Sequence, residues 1–371
     1  MKLFLQISIK FNLYHFHFIT IAKNTGVCHM DRKITIIVPC YNVEAYLDRC
    51  IQSLLDQTIG FSNLEVIFIN DASTDGSINI LRKYEERYPD NIMLIDLPVN
   101  NKQGAARNIG LQYATSDYIA FVDADDWVES TMYEKLYQRA IEYNCDMVCC
   151  KYKRVADETE AMGLTGYEDG FYHIQTAADR KAFVLDGIEG GICCNIYKRQ
   201  IILENNILFP EGMSYEDNFW LPLLQLYIQK FYVVEEYLYH YYINLNSTIT
   251  KRDSFHHFDR LLIELMKLEE YKSRGFYSSF QDEFELQFLR IYFLNTLNIL
   301  FTRFTIIPSE IFYEMQKTVK ICFPHYKENK YISDRLNESE IHMLLLIESR
   351  CTPDQLEEIA FNYRHGYLYI P

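Results

Sequence analysis

The sequence is short of positive charge. Its 371 residues include 36 lysines and arginines against 51 aspartates and glutamates, a formal net charge of −15. Proteins that bind nucleic acids grip the phosphate backbone through basic surfaces, so this balance argues against nucleic acid as the main partner. A small phosphate ligand, held by a few local cations or by a metal ion, is still compatible with it.

A run of eighteen apolar residues is also missing, which argues against a membrane span. The ambiguous part is the N-terminus, because residues 3–21 are rich in Leu, Ile and Phe but are broken by polar residues, and no small-residue cleavage site follows. We treat residues 1–30 as a leader and expect translation to start at Met30, with residues 1–29 an artefact of the assigned start. The alternative is a weak membrane-surface anchor.

The ten cysteines contain no CxxC pair, and adjacent ones such as Cys149 and Cys150 would point to opposite faces of a strand. This spacing argues against a zinc site. We expect reduced thiols that serve as small apolar side chains, as is usual for a cytoplasmic protein.

Strand and helix patterns alternate from residue 34 to about residue 122. Short apolar runs indicate buried strands, and apolar residues at helical spacing lie between them, with Asn42 placed as the N-cap of the first helix. Buried strands separated by helices predict a parallel sheet whose ligands bind at the carboxyl ends of the strands. The predicted strands are 34–38, which Pro39 ends, 64–69, 92–95 and 118–122.

The pattern changes after residue 145. A strand at 146–153 and a loop at 154–175 precede further helices and strands, and from about residue 255 the chain is mostly helical and carries no motif that we can assign. We expect this last region to pack on the core and to provide an acceptor, partner or membrane-surface contact. The other predicted elements are helices at 176–186 and 217–229 and strands at 231–234 and 237–242.

Polar clusters follow the first two predicted strands. Pro39 and Tyr41 form either a simple turn or a turn whose tyrosine ring meets a nucleotide base. Asp71 is placed to accept a hydrogen bond from a base N–H, whereas Ser73 and Asp75 are explained by capping of the next helix.

A third cluster, residues 100–110, opens a predicted helix. Small residues such as Gly104 let an anionic ligand approach the backbone N–H groups there, and Arg107 adds a fixed cation. The alternative is a polar loop followed by a small-residue packing face.

Two acidic clusters complete the set of candidate sites. Asp123, Asp125 and Asp126 directly follow a buried strand and repel one another unless a cation lies among them, which predicts a site for Mg²⁺ or Mn²⁺ rather than a solvated surface. Glu216 and Asp217 lie between aromatic residues, where a desolvated carboxylate suits a general base. A favourable charge at a helix N-terminus explains that pair equally well.

Taken together, these clusters resemble the inverting glycosyltransferases of family two, which have the GT-A nucleotide-diphospho-sugar transferase fold. The resemblance runs from Ile34 to about Thr250, and its specificity comes from five motifs that occur in the family's order. It implies an α/β fold with a mostly parallel sheet flanked by helices, followed by a mainly helical C-terminal region. The motifs are IIVPCYN, INDASTDGS, GAARNIG, VDADDW (the family's DxD) and FPEG followed by SYEDNFW.

The resemblance also implies a role for each matching residue. Asp217 is the catalytic base for the acceptor hydroxyl, and Glu216 supports it. Asp125 binds the metal ion, while Asp123 faces the ribose and the metal. The remaining residues bind the donor: Pro39 and Tyr41 line its nucleotide base, and Asp71 accepts a hydrogen bond from that nucleotide base. Asn100 shapes the donor pocket, and Arg107 lies near the diphosphate.

The implied function is a metal-dependent inverting transfer from a nucleotide sugar, here a UDP-sugar, to a hydroxyl of a glycan or lipid-linked glycan acceptor in surface polysaccharide biosynthesis. The expected domain spans 31–250, with a nucleotide-binding half at 31–126 and an acceptor half at 127–250, before the helical region 251–371. We expect a cytoplasmic location, with a peripheral contact at the inner face of the membrane and an oligomer as open alternatives. A nucleotidyltransferase would need a Gly-rich basic loop after the first strand, which is absent here.

The sequence departs from the family pattern at three positions, and two of them, Asn195 and Tyr242, keep a non-catalytic nucleotide-sugar-binding partner of a glycan synthase as the alternative function. Lys102 stands where family members often carry glycine, and it either narrows the donor loop or touches phosphate. Asn195 replaces a frequent basic residue. Tyr242 replaces a frequent arginine, for which Lys251 or Arg252 is the candidate substitute.

Overall fold

A computed structural model describes residues 32–155, 167–187, 191–243 and 251–366. The predicted leader, residues 1–30 with Met30, lies outside these ranges. No helix within the described ranges is long and apolar enough to cross a membrane.

The described strands form one sheet in the order β3-β2-β1-β4-β8-β6-β9-β5, with β7 pairing to β9. The first four strands in this order run parallel, as predicted, and β8 then pairs antiparallel with both β4 and β6. The sheet is therefore parallel in its first half and mixed in its second. The strands are β1 Ile34–Cys40, β2 Leu64–Asn70, β3 Ile92–Asp96, β4 Tyr118–Phe121, β5 Trp127–Val128, β6 Met147–Val155, β7 Gly170–His173, β8 Asn195–Lys198 and β9 Lys230–Tyr242.

Helices cover the sheet and make up most of the C-terminal region. Before residue 250 they are α1 Leu47–Leu55, α2 Ser77–Arg87, α3 Lys102–Tyr113, α4 Met132–Glu142, α5 Ala177–Asp186, α6 Arg199–Glu204 and α7 Asp217–Gln225. After it come α8 Asp259–Ser273, α9 Gln281–Phe288, the π-helix Leu289–Asn295, α10 Thr296–Arg303, α11 Ser309–Cys322, α12 Ile332–Arg335, α13 Glu338–Leu345 and α14 Pro353–Arg364.

The prediction that Pro39 ends the first strand is wrong, because β1 continues to Cys40. The carbonyl of Cys40 accepts from the backbone N–H of Asp71, on the β2 side. Because neighbouring residues of a strand point their backbone groups to opposite sides, the Pro39 nitrogen faces β4. The pairing of β1 with β4 ends at Ile37 and Phe121. Pro39 lies beyond this pair, so its lack of an N–H costs no hydrogen bond between the two strands.

The prediction that Asn42 caps the first helix is also wrong. Helix α1 starts at Leu47, and its N-cap is Tyr46. Asn42 has a left-handed backbone (φ 53°), and its side-chain oxygen accepts from the N–H of Thr74 at 2.7 Å. Its side chain thus joins two loops instead of starting a helix.

Two further predictions about strands need correction. The strands expected at 231–234 and 237–242 are one strand, β9, whose register with β6 shifts next to Lys151, so a bulge absorbs the polar break in the apolar pattern. The loop expected at 154–175 contains β7, a short edge strand that pairs antiparallel with β9. Part of that loop, 156–166, lies outside the described residues.

Two hydrophobic clusters form the core, and helix α8 belongs to both. Ile263 and Met266 pack into the cluster around the sheet, whereas Leu261, Leu265 and Leu268 pack into the C-terminal helical cluster. This shared helix confirms that the C-terminal region is helical and packs on the core. The domain boundaries near residues 126 and 250 stay predictions.

The candidate active site

The loops that follow β1 and β2 are held together by hydrogen bonds. Ser73 Oγ accepts from the N–H of Asn42 at 3.0 Å, and Asp75 accepts from the N–H of Glu44 at 3.1 Å. The structural role of Ser73 is therefore to join the loops, while Asp75 also accepts from Ser77 at the start of α2. These contacts fix the loop after β1 on which Tyr41 lies, 49% exposed.

Asp71 is buried directly after β2, two residues beyond Ile69, which pairs with Pro39 of β1. Its Oδ1 accepts from the N–H of Asn101 at 2.9 Å, and burial raises the pKa of its carboxyl. Asn100, exposed in the same loop, accepts from the N–H of Lys102 through its side chain at 3.2 Å. The predicted base-binding residues thus share one edge of the sheet with the loop that precedes α3.

Arg107 links the two acidic motifs. Its side chain, 3% exposed, donates to Asp123 Oδ1 at 2.7 Å and also to Glu216 Oε1. Burial disfavours its charge, but the carboxylates of Asp123 and Glu216 outweigh that effect and raise the pKa of the Arg107 guanidinium. An arginine of α3 therefore brings the end of β4 and the start of α7 into one buried ion network.

Glu216 and Asp217 differ in what holds them. Glu216 is buried and paired with Arg107, whereas Asp217 is half-buried, begins α7 and is in no ion pair within the described ranges. Burial raises the pKa of both carboxyls, and the nearby Asp123 raises that of Asp217 further. Of the two, Asp217 has the carboxylate that can take up a proton without breaking an ion pair.

The three aspartates after β4 do not act alike. Asp126 is buried and accepts from the hydroxyl of Tyr239 and from the N–H of Tyr242 (2.7 Å), and burial raises the pKa of its carboxyl well above the usual range. Asp123 and Asp125 are half-buried. The side chain of Asp126 is thus used in holding β9.

Asp123 and Asp125 remain the candidate metal ligands. Among the described residues no three carboxylate, histidine or cysteine side chains converge as a metal-binding group. Mg²⁺ and Mn²⁺ often take only one or two carboxylates and complete their shell with water and substrate phosphates. Two half-buried hard oxygen donors fit such an ion.

A cation beside Asp125 comes from α1. Arg49 donates to the backbone carbonyl of Asp125 at 2.8 Å, and its guanidinium lies 3.8 Å from the ring centre of Trp127 and 4.9 Å from that of Tyr242. His240 stacks on Trp127, with ring centres 4.9 Å apart. No signal in the sequence pointed to Arg49, because nothing in helix α1 indicates a contact with a segment 76 residues away.

The glycines of the GAARNIG motif serve packing. A Cβ on Gly104 would overlap the carbonyl oxygen of Pro210, and one on Gly110 would overlap the side chain of Ile37. Asn108 in the same helix donates to the carbonyl of Phe209 at 2.9 Å. The small-residue packing face, one of the two alternatives considered for this cluster, explains both glycines.

We expect Gly104→Ala to destabilise the protein by about 1–3 kcal/mol, because the added methyl pushes α3 away from the 209–212 loop. At an ordinary helix position the same change stabilises by up to about 1 kcal/mol, so the sign separates a clash from helix propensity. Urea unfolding measures the difference. A stability equal to or above that of the wild type would show that the contact with Pro210 is not tight.

The departures at Lys102 and Asn195 have structural explanations. The Lys102 ammonium lies 3.2 Å from Asp259 Oδ2, so it is paired with α8. Asn195 is buried and donates to the carbonyl of Gly191 at 2.7 Å and to the Tyr197 hydroxyl at 2.8 Å.

Seven of the nine described cysteines are buried as free thiols.

Solved structures share this fold. Over 91% of this chain and 93% of the other, a crystal structure of S. aureus TarS 1-349 in complex with UDP superposes with a TM-score of 0.66 at 19% identity. A second TarS structure gives 0.68 over 89% of this chain and 55% of that one, also at 19% identity. The chain has the fold of the GT-A glycosyltransferases.

The sequence comparisons go further than the fold. The family model described as Glycosyl transferase family 2 matches residues 35–202. The uncharacterized glycosyltransferase YibD of Escherichia coli is 31% identical over 281 residues, 70% of this chain and 78% of YibD. Glycosyltransferase GlyA of Streptococcus pneumoniae is 33% identical over 59% of this chain, but only 32% of GlyA is covered. The chain belongs to glycosyltransferase family 2, and it is a glycosyltransferase.

Proposed function

We propose that the protein transfers a sugar from a UDP-sugar to a hydroxyl of a glycan or lipid-linked glycan acceptor, with inversion at the anomeric carbon and with the help of a divalent metal ion. The observation that carries this proposal is the network in which Arg107 joins Asp123 to Glu216. It sets a candidate donor site and a candidate base on either side of one buried cation. The TarS structures, which share the fold, contain UDP in one case and UDP-GlcNAc in another.

In the proposed reaction, Asp217 takes the proton of the acceptor hydroxyl. The hydroxyl oxygen then forms a bond to the anomeric carbon on the face opposite the leaving group. The bond from that carbon to the diphosphate oxygen breaks, and the nucleoside diphosphate leaves with the electron pair. One displacement of this kind inverts the configuration, and it needs a base on one side and a stabilised anion on the other.

The remaining residues bind and orient the donor. Pro39 and Tyr41 would line the nucleotide base of the donor, Asp71 would accept a hydrogen bond from that nucleotide base, and Asn100 would shape the pocket beside it. Arg107 supplies fixed positive charge behind Asp123. A divalent ion held by Asp123 and Asp125 would neutralise the diphosphate as negative charge develops there.

We expect transfer to depend on Mn²⁺ or Mg²⁺, because without the ion the diphosphate meets several carboxylates in a chain of net charge −15. Excess chelator should abolish the transfer, and restored Mn²⁺ should recover it. Asp125→Asn should weaken the binding of the donor in Mn²⁺ when calorimetry is used to measure affinity. Undiminished transfer in excess chelator would contradict the metal dependence.

The proposed pathway is surface polysaccharide or teichoic acid synthesis. Relatives include the Bacillus spizizenii poly(ribitol-phosphate) beta-glucosyltransferase, 29% identical over 60% of this chain, and the Bacillus subtilis minor teichoic acid biosynthesis protein GgaB, 29% identical over 64%. The chain covers only 33% and 27% of these two proteins. The buried free thiols favour a reducing compartment, and we place the reaction in the cytoplasm at the inner face of the membrane.

A non-catalytic partner of a glycan synthase remains the second candidate, since Asn195 and Tyr242 depart from the family pattern. Nucleotide-sugar binding with and without Mn²⁺, measured by thermal shift for UDP-, GDP- and CDP-sugars, identifies the donor. Product release with the stabilising donor then separates the two functions. A protein that binds its donor but releases no nucleoside diphosphate with any tested glycan acceptor supports the partner role.

A further inference from the structure

We propose that the segment 257–260, which lies beyond the part matched by the family model, is a positioning element of the active site. It holds two loops in place: the donor loop, residues 100–102, and the catalytic loop, residues 212–217. This inference rests on the proposed function for its kinetic consequences, and on contacts within the structure for the positioning itself.

Asp259 is the centre of the positioning element. Its Oδ2 accepts from the N–H of Ser214 at 2.9 Å and from the ammonium of Lys102 at 3.2 Å. The Lys102 ammonium lies 3.5 Å from the hydroxyl of Ser214 as well. One carboxylate oxygen on α8 therefore binds both loops at once.

His257 and Arg260 hold the catalytic loop at the next residue. His257 is buried, and its Nε2 lies 2.8 Å from the carbonyl of Lys251, which can only accept, so Nε2 carries the proton. Nδ1 then accepts from the hydroxyl of Tyr215 at 2.8 Å. The Arg260 guanidinium lies 4.4 Å from the centre of the Tyr215 ring.

The two residues held in this way are in an unfavourable backbone conformation. Lys102 has φ 65° and Tyr215 has φ 66°, the left-handed region that residues with a Cβ rarely adopt. Such residues persist where surrounding contacts over-determine them. Here the side chain of each one is bound by a segment of four residues.

Displacement of either loop would reach the candidate catalytic groups. The N–H of Asn101 donates to Asp71, and its carbonyl accepts from the N–H of Gly212 at 3.2 Å. Tyr215 is followed directly by Glu216 and Asp217. The positioning element thus controls the distance between Asp71, the candidate partner of the nucleotide base, and Asp217, the candidate proton acceptor.

The test starts from the full-length protein with Asp259→Ala, which removes both contacts, and Asp259→Asn, which keeps one acceptor. Backbone hydrogen exchange should become faster in the donor and catalytic loops, with the larger change in Asp259→Ala. The kcat/KM for transfer should fall by about 10–10²-fold, since misplacement of reacting groups by about 1 Å has effects of that size. Glu269→Gln is the matched control on the same helix, because Glu269 pairs only with Lys272 at the surface among the described residues.

Lys102→Gly provides the rescue that separates positioning from general stability. Glycine adopts a positive φ without strain, so Lys102→Gly in the Asp259→Asn background should restore part of the lost kcat/KM and slow the exchange of the donor loop. Because relief of this strain also raises stability, each variant is assayed where urea unfolding shows it to be fully folded, so that the recovered kcat/KM reports the position of the loop and not the folded fraction.

Two results would overturn the positioning role: unchanged exchange in both loops in Asp259→Ala, or changes no larger than those in Glu269→Gln. If the wild type binds no nucleotide sugar, the proposed function fails, and hydrogen exchange still decides whether Asp259 holds the loops. If Asp259→Ala does not fold, Asp259→Asn and Lys102→Gly give the same comparison.

Discussion

Asp217→Asn is expected to lower the rate of sugar transfer by about 10²–10⁴-fold, the usual contribution of a positioned general base. The amide keeps the size of the carboxyl but cannot take the proton of the acceptor hydroxyl. Donor affinity should stay near that of the wild type, because the candidate nucleotide contacts lie at Asp71, Arg107 and Asp123. Calorimetry of donor binding and the rate of nucleoside diphosphate release, measured on the same preparation, give the two values.

The pH profile adds a second test of the same variant. Burial raises the pKa of Asp217, so the wild-type rate should fall with acidification at a higher pH than an ordinary aspartate would give. The base works deprotonated, and each step down in pH through the raised pKa removes active enzyme. Asp354→Asn, an exposed aspartate in the first turn of α14, is the matched control. Transfer by Asp217→Asn at the wild-type rate would mean that another group is the base.

Arg107→Met should cost about 3–5 kcal/mol of unfolding free energy, the range seen when one partner of a buried ion pair is removed. Methionine fills much of the same volume but leaves the buried Glu216 and the partly buried Asp123 without their cation. Urea unfolding gives the free energy. The transfer rate should fall as well. Glu216, which loses its partner, and Asp217, the candidate general base, are neighbours at the start of α7.

A second substitution tests the cause of that loss. Glu216→Gln in the Arg107→Met background should recover part of the stability, since it removes the unpaired buried carboxylate. Arg139→Met is the control, because Arg139 pairs with Glu142 on the exposed surface of α4, where changes within about 0.5 kcal/mol are usual. A loss in Arg107→Met no larger than in Arg139→Met would show that the network adds little stability.

Much of the architecture could be predicted from the chain itself. β2, β3 and the helix α5 lie within a few residues of the predicted bounds, because β-branched runs and apolar residues at helical spacing are local signals. Capping adds to them: Thr176 with Asp179, and Asn337 with Glu340, satisfy the first N–H groups of α5 and α13. The errors at Pro39 and along β9 come from neighbouring strands, since no residue of β4 pairs with Pro39 and a bulge against β6 lets β9 continue past its polar break.

The sequence by itself determined which residues are candidates for the chemistry, because Asp71, Arg107, Asp123, Asp125, Glu216 and Asp217 lie in motifs that are read locally. Only the tertiary structure decided how these groups meet. Arg107 and Glu216 are 109 residues apart, and their ion pair exists because the fold brings the Arg107 side chain of α3 to the start of α7. The contacts of Asp259 with Lys102 and Ser214 likewise join segments 157 and 45 residues apart. Since hydrogen bonds and ion pairs of this range depend on how helices pack, no local pattern in the C-terminal region announced them.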